Sequence, residues 1–600
     1  MRCAGNMQRT ATLHGNKLIM FGHRHFSCIL RFPTIVAVAI LTLLPLAAEG
    51  QSRLSQATGQ QGMVVTVSPP ATRVGLEILR QGGNAVDAAI AVEFALAVTW
   101  PEAGNIGGGG FMMVHPGPSH PGRKVVCIDY REVAPRRSTE TMFRPDDGRH
   151  THKIVGVPGT VHGMVTAHRR HGSAKWKRLL APSILLARDG FEVDAALARS
   201  INRVLGYRSV REGPHHQELI RVYGKPDGTQ WQEGDRLVLP DLARTLKRIA
   251  DKKDDGFYDG RVAKLIEAEM LRGGGLVNRR DLDDYRARVR PAVHGTFRGH
   301  DVYGAPPPSS GGTCVVQMLN VLEQLDLRAH PRYSARNLHL VAETMKRAFC
   351  DRARHLGDAD FVDIPGHLVT KDYAKTLAAG ISIDKATPSE QLAPEIRIAD
   401  ESPQTTHFSV VDSRGMAVSN TTTLEGSWGA RIVVRGAGFV LNNEMGDFNW
   451  FPEHTDRAGR IGTTANRIRP GKRMLSSQSP TIVARDGHPV LVTGSPGGRT
   501  IINTALQMVL AVVEFGEDLP TAMRAPRIHH QWLPDRLIIE THSDRLSPDA
   551  VKTLQSMGHR VSRRSRRSYQ GDAHSIAIDP DSGRLHGVAD WRRNGLAAGF

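Results

Sequence analysis

The apolar segment at residues 85–98 constrains the fold of this 600-residue chain more than any other feature. It contains the sequence VDAAIAVEFALAV, which is apolar nearly all round a helix. A helix on a protein surface keeps a polar stripe, so this helix has to be buried between layers of structure. Asn84 can cap its first turn, and Gly82-Gly83 ends the helix predicted just before it.

Two β-hairpins are predicted after a sharp change of pattern at residue 404. Residues 405–412 and 416–423 read as two strands around a short turn, and residues 481–484 and 489–493 do the same around Asp486-Gly487. Residues 155–385 are instead mainly helical in pattern. Two sheets covered by apolar helices predict an α+β fold, a four-layer αββα sandwich.

The remaining elements are predicted from apolar periodicity and from glycine and proline boundaries. Strands are expected at residues 62–67, 111–115, 125–130, 574–579 and 585–589. Helices are expected at residues 71–80, 313–325, 334–353, 500–515 and 547–557. Residues 51–61 form a polar lead-in, and residues 387–404 are predicted to be a linker or exposed loop.

The N-terminus has the pattern of an export signal. Arg24, His25 and Arg31 precede a run of fourteen mostly apolar residues at 35–48, and small residues follow it. Fourteen residues suit a signal peptide and are short for a transmembrane helix. We predict a signal peptide at residues 1–50 and a periplasmic or secreted protein without stable membrane insertion, with a retained anchor as the alternative.

Composition argues against several other classes of function. The chain has 78 Lys and Arg against 60 Asp and Glu, a formal net charge of +18, but the densest basic run, residues 563–567, has no aromatic ladder beside it. No nucleic-acid partner is therefore predicted. After export three widely spaced cysteines would remain, Cys127, Cys314 and Cys350, and these predict buried free thiols rather than a disulfide framework or a metal site.

The first candidate for chemistry is Thr405. A threonine hydroxyl is a poor nucleophile unless a base lies beside it, and cutting the chain directly before the threonine frees an α-amine that can be that base. This requires a flexible segment before the threonine and a rigid strand after it, as the sequence around TTHFSVVD at residues 405–412 offers. Taken alone, a threonine at the start of a strand is usually just a good β former.

Two glycine-rich segments have different interpretations. GSPGG at residues 494–498 lies between a strand and an apolar helix, where backbone N–H groups can hold a developing oxyanion. A tight strand-to-helix turn is the alternative. GGGG at residues 107–110 has no following Lys-Ser/Thr and leads into a strand, so we interpret it as a structural turn.

A set of polar residues matches the needs of an amino-acid head group. Glu444, Asp447, Ser476 and Ser477, together with Arg131, supply anionic, hydroxyl and cationic partners for one ammonium and one carboxylate. Taken separately, each of these residues is better explained as a surface or capping residue.

Together these segments resemble the γ-glutamyltranspeptidases (glutathione hydrolase proenzymes) of the N-terminal-nucleophile hydrolase superfamily. Nine motifs in family order, spread over about residues 60 to 600, carry the resemblance. They are GGNAVDAAIA (82–91), NIGGGG (105–110), DYRE (129–132), VPGT (157–160), PPPSSGG (306–312), TTHFSVVD (405–412), LNNEMGDF (441–448), LSSQSPTIV (475–483) and GSPGG (494–498).

The resemblance implies a precursor that cuts itself between Gln404 and Thr405. Thr405 would then be the nucleophile, and Thr423 would be the second threonine that hydrogen-bonds to it. Gly497 and Gly498 match the oxyanion glycines. The implied products are a large fragment, residues 51–404, and a small fragment, residues 405–600, which stay together as a heterodimer.

The resemblance also implies how a γ-glutamyl substrate is held. Arg131, Ser476 and Ser477 match residues that bind its α-carboxylate, and Glu444 and Asp447 match residues that bind its α-amine. The activity implied is that of a γ-glutamyltransferase and glutathione hydrolase, which passes the γ-glutamyl group from a threonine ester to water or to an amine. No cofactor is implied.

One position departs from the family pattern. Glu425 stands where the family usually has asparagine, and a further carboxylate beside a bound carboxylate is unfavourable unless it is protonated or turned away. Pairing with Arg431 is one way to turn it away. The spacing between residues 447 and 476 leaves room for a lid loop, residues 448–475, with Trp450 and Phe451 at its start.

Two other functions remain open at this point. One is an amidohydrolase of the same fold with another acyl specificity, such as a glutaryl-type acylase, which the departure at Glu425 leaves open. The other is an unprocessed, catalytically silent binding protein that uses the same pocket.

Overall fold

The computed structural model describes residues 54–120, 122–393, 399–400, 405–456, 459–564, 570–593 and 595–600, all within the compact unit Ser52–Phe600. The predicted signal peptide at residues 1–50 and part of the basic run at 563–567 lie outside these residues. No helix in the described part of the chain is both long and apolar enough to cross a membrane.

Two antiparallel sheets of seven strands each form the centre of the fold. In spatial order the first sheet consists of Ser55–Gly59, Leu585–Ala589, His574–Ile578, His488–Thr493, Thr481–Arg485, His300–Gly304 and Val293–Phe297. In spatial order the second sheet consists of Leu596–Gly599, Gly62–Thr66, Thr406–Asp412, Ala417–Thr423, Gly109–His115, Val126–Asp129 and Arg288–Pro291. Both predicted hairpins are confirmed, one in each sheet.

Helices cover the outer face of each sheet. The second sheet is covered by a group made of Pro69–Arg80, Ala85–Thr99, Thr160–His171, Trp176–Asp189, Ala195–Gly206, Arg208–Glu212, Gln217–Tyr223, Pro240–Lys252, Asp255–Tyr258, Gly260–Gly273 and Arg279–Asp284. The group on the first sheet consists of Gly311–Leu322, Ala335–His355, Lys371–Ala379, Ser389–Leu392, Thr500–Val509, Leu519–Arg524 and Pro548–Ser556.

Short elements complete the described chain. Small sheets pair Phe191–Glu192 with Arg236–Leu237, Ala399–Asp400 with Gly459–Arg460, and Leu537–Glu540 with Ile528–His529 and Val561–Arg564. The 3₁₀ turns are His152–Ile154, Gly366–Val369, Glu444–Asp447 and Thr464–Asn466.

Three apolar clusters separate four layers. One lies between the sheets and includes Met63 and Phe111 from the second sheet and Ile482 and Ile576 from the first. The other two lie between each sheet and its helices. This is the predicted αββα arrangement, in which each sheet buries both faces.

The all-round apolar helix Ala85–Thr99 is fully enclosed, as its sequence requires. All fifteen of its residues are buried. Asn84 and Asp87 form a reciprocal cap, with Asp87 N–H donating to Asn84 Oδ1 at 2.9 Å and Asn84 N–H to Asp87 Oδ2 at 3.0 Å. The helix N-terminus is tied to the second sheet because Ala85 N–H also donates to Asp412 Oδ2 at 2.9 Å.

Some elements differ from the sequence-based expectation. The polar lead-in contains the edge strand Ser55–Gly59. The region predicted to be mainly helical also contains the strands Arg288–Pro291, Val293–Phe297 and His300–Gly304. A further strand, Leu596–Gly599, follows Leu585–Ala589. The helix predicted at 500–515 is α-helical to Val509 and continues as a π-helix over Leu510–Glu514. Cys127, Cys314 and Cys350 are buried, as predicted.

The segment predicted as a linker is anchored over its described first part. Ser389 is buried in the short helix Ser389–Leu392, and its Oγ donates to Trp532 O at 2.6 Å. Thr387 N–H donates to Glu343 Oε1 at 3.1 Å. These bonds hold the segment against Glu343 of the helix Ala335–His355 and against Trp532, so a linker is the wrong description of residues 387–393. The alternative of an exposed loop holds for Pro388, Glu390 and Gln391, which are exposed.

Candidate active site

The central hairpin of the second sheet brings Thr405 and Thr423 together. Thr406 pairs with Thr422, so residue 405 lies opposite residue 423 at the end of the hairpin. The hydroxyl of Thr423 lies 3.4 Å from that of Thr405 and accepts a hydrogen bond from Glu425 N–H at 2.8 Å. Both threonines are buried, at 6% and 2% exposure. The predicted nucleophile thus has a hydroxyl partner within hydrogen-bond distance.

One cavity adjoins these hydroxyl groups. The predicted site residues that line it are Arg131, Thr405, Thr423, Glu425, Asp447, Ser476, Ser477 and Gly498. The other two, Glu444 and Gly497, do not line it. Glu444 is fully buried against Arg131, and Gly497 lies one residue back in the same turn. Ten residues from six separate segments of the chain are thereby brought together at or beside this cavity.

The GSPGG turn has the backbone geometry that only glycine adopts readily. Gly497 has φ +126° and Gly498 has φ +56°. The carbonyl of Gly497 accepts from Thr500 Oγ1 at 2.8 Å and that of Gly498 from Ile501 N–H at 3.0 Å. Among the described residues, no acceptor takes the N–H of either glycine. Of the two glycines, Gly498 lines the same cavity as Thr405.

The GGGG segment is a structural turn, as interpreted, because backbone passes very close to it. A Cβ on Gly107 would lie 2.1 Å from Val440 O, and one on Gly108 would lie 2.0 Å from Thr423 O. Residues 107 and 108 therefore exclude side chains and allow the chain to pack directly behind the hydroxyl pair.

Arg131 is held by three acids. Its Nη1 lies 2.6 Å from Glu444 Oε2 and 3.6 Å from Glu132 Oε2, and its Nη2 lies 2.5 Å from Asp447 Oδ2. Burial alone would lower the pKa of this guanidinium, but the neighbouring Glu444, Asp447 and Glu132 raise it. Arg131 therefore stays charged, and its charge is shared with the acids at the cavity wall.

Two of these acids, Glu132 and Glu444, have raised pKa values. Burial raises the pKa of Glu132 to about 8 and that of Glu444 well above its ordinary value, against the opposing effect of Arg131. Several carboxyl groups close together in a buried place cannot all ionise at low cost. An incoming ammonium group would relieve this repulsion, so the site favours a cationic ligand group at this wall.

Ser476 and Ser477 are supported by residues that sequence reasoning missed. Arg352, on the helix Ala335–His355, donates to Ser477 Oγ at 3.0 Å and to Ser310 Oγ at 2.8 Å. Ser310, from the PPPSSGG motif, donates through its N–H to Ser476 O at 2.8 Å. Burial lowers the pKa of Arg352. No sequence signal links residue 352 to residue 477, because only the packing of the helix brings them together.

Glu425 faces the cavity, and its partners differ from the one suggested by the sequence. It is 7% exposed, accepts a hydrogen bond from Asn443 Nδ2, and lies 3.4 Å from Arg149 Nη1. Pairing with Arg431 is therefore wrong, since that guanidinium stacks 4.3 Å from the Tyr207 ring. Burial, and secondly Asp447, raise the pKa of Glu425 to about 8, against the effect of Arg149 and Asn443.

The segment predicted as a lid loop forms part of the cavity wall. Asn449, Ile461, Thr463 and Asn466 line the cavity. Asn466 Nδ2 donates to Asp447 O at 2.7 Å, which joins this segment to the acidic wall.

Away from this cavity, His339, Glu343 and His559 form a cluster of residue types that can bind a metal ion. Both oxygens of Glu343 are occupied, by Lys346 Nζ at 2.9 Å and Arg347 Nη1 at 2.7 Å. The two imidazoles bond to each other at 2.8 Å. These contacts account for the cluster as a buried hydrogen-bond network.

Comparison with known proteins identifies the family of the chain. A family model described as Gamma-glutamyltranspeptidase matches residues 71–600. The chain is 44% identical over 550 residues to the glutathione hydrolase proenzyme of Escherichia coli (strain K12), covering 90% of this chain and 92% of that protein. It is 35% identical over 568 residues to the Acylase ACY 1 proenzyme of Pseudomonas sp. (strain SE83), covering 92% and 96%.

A solved structure shows the same fold. The cephalosporin acylase from Bacillus halodurans superposes with a TM-score of 0.81, covering 93% of this chain and 99% of that chain at 24% identity. The match confirms the predicted α+β sandwich. The family match spans nearly all of the described chain, and the E. coli relative is similar over nine-tenths of it. The chain therefore belongs to the γ-glutamyltranspeptidase family of enzymes.

Proposed function

We propose that this protein is a self-processing γ-glutamyltransferase and glutathione hydrolase. The observation that carries the proposal is the meeting of the hydroxyls of Thr405 and Thr423, 3.4 Å apart, in a cavity that also holds Arg131 and a group of acids. The hydroxyl pair suits acyl transfer, and the charged groups suit the head group of an amino acid.

The first step we propose is self-cleavage between Gln404 and Thr405. The Thr405 hydroxyl attacks the preceding carbonyl, and the resulting ester is hydrolysed to leave a free α-amine on Thr405. Thr405 then opens the small fragment, residues 405–600, and its amine becomes the base for its own hydroxyl. The hydroxyl of Thr423 steadies the nucleophile through their contact at 3.4 Å.

In turnover, Thr405 attacks the γ-amide carbonyl of glutathione or a similar compound. The N–H groups of Gly497 and Gly498 hold the oxyanion, the amine leaves with a proton, and a γ-glutamyl ester remains on Thr405. Water or an amine then attacks the ester and releases glutamate or a new γ-glutamyl amide. Arg131, Ser476 and Ser477 hold the α-carboxylate, with Glu444 and Asp447 on the α-amine.

A glutaryl-type acylase is the second candidate, because one relative with 35% identity is an acylase proenzyme. A glutaryl group lacks the α-amine of a γ-glutamyl group. The crowding of Glu425, Glu444 and Asp447 favours a substrate that carries an ammonium group there. This is why the γ-glutamyl donor is preferred.

We also propose that the protein acts outside the cytoplasm, in the periplasm or after secretion. This rests on the apolar run and small residues within positions 35–50 of the sequence.

The experiment is a comparison of γ-glutamyl and glutaryl p-nitroanilides as substrates of the purified protein. The proposal expects kcat/KM at least about tenfold higher for the γ-glutamyl compound, since one good charge contact contributes about 1.4 kcal/mol. Equal or reversed preference would favour the acylase. Turnover of neither compound would favour a silent binding protein.

A further inference from the structure

A cluster outside the predicted site joins the start of the lid loop to residues 143–153. The ring of Phe143 stacks on that of Trp450, with centroids 4.1 Å apart and planes at 11°. The guanidinium of Arg149 lies over the same indole, 5.1 Å from its centroid. Trp450 Nε1 donates to Met445 O at 2.8 Å. The indole is thus fixed, and it supports the guanidinium.

The same guanidinium reaches the wall of the cavity. Arg149 Nη1 lies 3.4 Å from Glu425 Oε1 and 3.3 Å from Gly446 O. The side chain of Arg149 is 35% exposed, whereas that of Glu425 is 7% exposed. One cation at the edge of the site therefore contacts a buried carboxyl group from the solvent side.

We propose that Arg149, supported on Trp450, is a specificity-determining residue that favours the anionic form of Glu425 and thereby donors carrying an α-ammonium group. This inference rests on the proposed function, because it assigns the acidic wall to the donor's amine.

Among the charged groups near Glu425, Arg149 is the one that controls whether Glu425 is anionic. Asp447 and Glu444 disfavour its anion, while Arg131 and Arg149 favour it. Arg131 is already paired at 2.6 Å with Glu444 and at 2.5 Å with Asp447. Within the described residues, Arg149 has no carboxylate other than Glu425 within 4.0 Å. Removing Arg149 therefore leaves Arg131, already paired with two acids, as the remaining cation that favours the anion, and the protonated fraction of Glu425 would rise.

A protonated Glu425 weakens binding of an ammonium group and leaves binding of a glutaryl group unchanged. A change of about one unit in the pKa of Glu425 changes its anionic fraction about tenfold near neutral pH. The effect of Arg149 is thus selective for one class of donor, which a merely structural role would not be.

The test uses Arg149→Gln, Arg149→Lys and Trp450→Leu in the full-length processed protein. Arg149→Gln should raise the KM for γ-glutamyl p-nitroanilide about tenfold, with kcat changed less than about threefold. Arg149→Lys should raise this KM less, because the positive charge remains. Trp450→Leu should also raise this KM, because it removes the ring that supports the guanidinium. The KM for the glutaryl compound should not change.

Two controls separate this role from a general effect on folding. Lys153 is also a cation beside the Phe143 ring, 5.3 Å from its centroid, but it pairs with Asp147 at 2.6 Å. Lys153→Gln should therefore leave both KM values unchanged. In a Glu425→Gln background, Arg149→Gln should change the γ-glutamyl KM less than about twofold, because the charge it acts on is gone. Two-chain processing and gel filtration verify the fold of each variant.

With an active parent, three results would overturn the inference. The γ-glutamyl KM could stay unchanged in Arg149→Gln, or the KM of both compounds could change equally. The third is a tenfold rise of the γ-glutamyl KM when Arg149→Gln is made in the Glu425→Gln background. Failure of the proposed function looks different, since the parent itself would then show no preference for the γ-glutamyl compound. Should the parent turn over neither compound, calorimetric binding of glutamate and glutarate decides the inference. Weaker glutamate binding in Arg149→Gln with unchanged glutarate binding supports it, and equal binding overturns it.

Discussion

At the scale of single residues, the account depends on the hydroxyl pair of Thr405 and Thr423. Thr423→Val removes the hydroxyl 3.4 Å from the nucleophile but keeps the shape of the side chain. A hydrogen bond to a group that develops charge contributes about 1.5–3 kcal/mol, so kcat should fall about 10- to 100-fold. Thr423→Ser keeps the hydroxyl and should retain most of the activity. Steady-state kinetics on the γ-glutamyl anilide check this, and equal activity of the valine and parent proteins would contradict it.

A pH dependence follows from Glu425. Burial and Asp447 raise its pKa to about 8, so the group is mostly protonated below pH 8 and anionic above it. An ammonium group binds the anion better, so the KM for γ-glutamyl donors should fall as pH rises from 6 through 8, until the donor's own amine loses its proton. The KM of the glutaryl compound should not fall over this range. Glu425→Gln should flatten the γ-glutamyl profile, and an unchanged profile in that variant would contradict the assignment.

Several site residues could be predicted from the sequence because they lie in short family motifs. Thr405, Arg131 and Ser476 each belong to such a motif. Arg352 and Arg149 could not be found in this way, because their contacts with Ser477 and Glu425 exist only once distant elements have packed. The predicted pairing of Glu425 with Arg431 was wrong for the same reason.

At the scale of elements, the glycine turn at 107–110 sets the position of the hairpin end. In Gly108→Ala the new Cβ would meet Thr423 O at 2.0 Å, so the backbone of residue 423 has to move. Overpacking of this kind costs roughly 1–3 kcal/mol, and we expect kcat to fall at least about tenfold. Gly366→Ala, where no atom lies within 4 Å of the new Cβ, is the matched control and should behave like the parent. Comparable activity of both variants would show that the close approach does not matter.

Elements were predicted well where their own sequence is decisive. The helix Ala85–Thr99 and the hairpin Thr406–Asp412 and Ala417–Thr423 have strong apolar patterns and clear boundaries. The strands Ser55–Gly59 and Arg288–Pro291 were missed, since both lie near sheet edges with half-exposed polar residues. Their strand structure comes from pairing with partners far away in the sequence.

At the scale of the whole molecule, the two proposed fragments interleave in both sheets. In the second sheet, Gly62–Thr66 lies between Leu596–Gly599 and Thr406–Asp412, so a strand before the cleavage site has neighbours from beyond it on both sides. In the first sheet, Ser55–Gly59 pairs with Leu585–Ala589. Cleavage at one backbone bond leaves all these pairings and the three apolar cores intact.

We therefore expect the cleaved fragments to behave as one particle. A denaturing gel should show two bands, while gel filtration in buffer should show a single peak that contains both fragments. Reducing agent should not separate them, because strand pairing and apolar packing join the two fragments. Separation of the fragments without denaturant would contradict the interleaved arrangement.

Self-cleavage before Thr405 is the central claim, and N-terminal sequencing of the purified protein tests it most directly. The account predicts that the small fragment begins Thr-Thr-His-Phe-Ser, at residue 405. It also predicts that Thr405→Ala gives one uncut chain without activity, because the attacking hydroxyl is absent. A parent protein that stays uncut, a fragment that begins at another residue, or normal cleavage in Thr405→Ala would contradict the account.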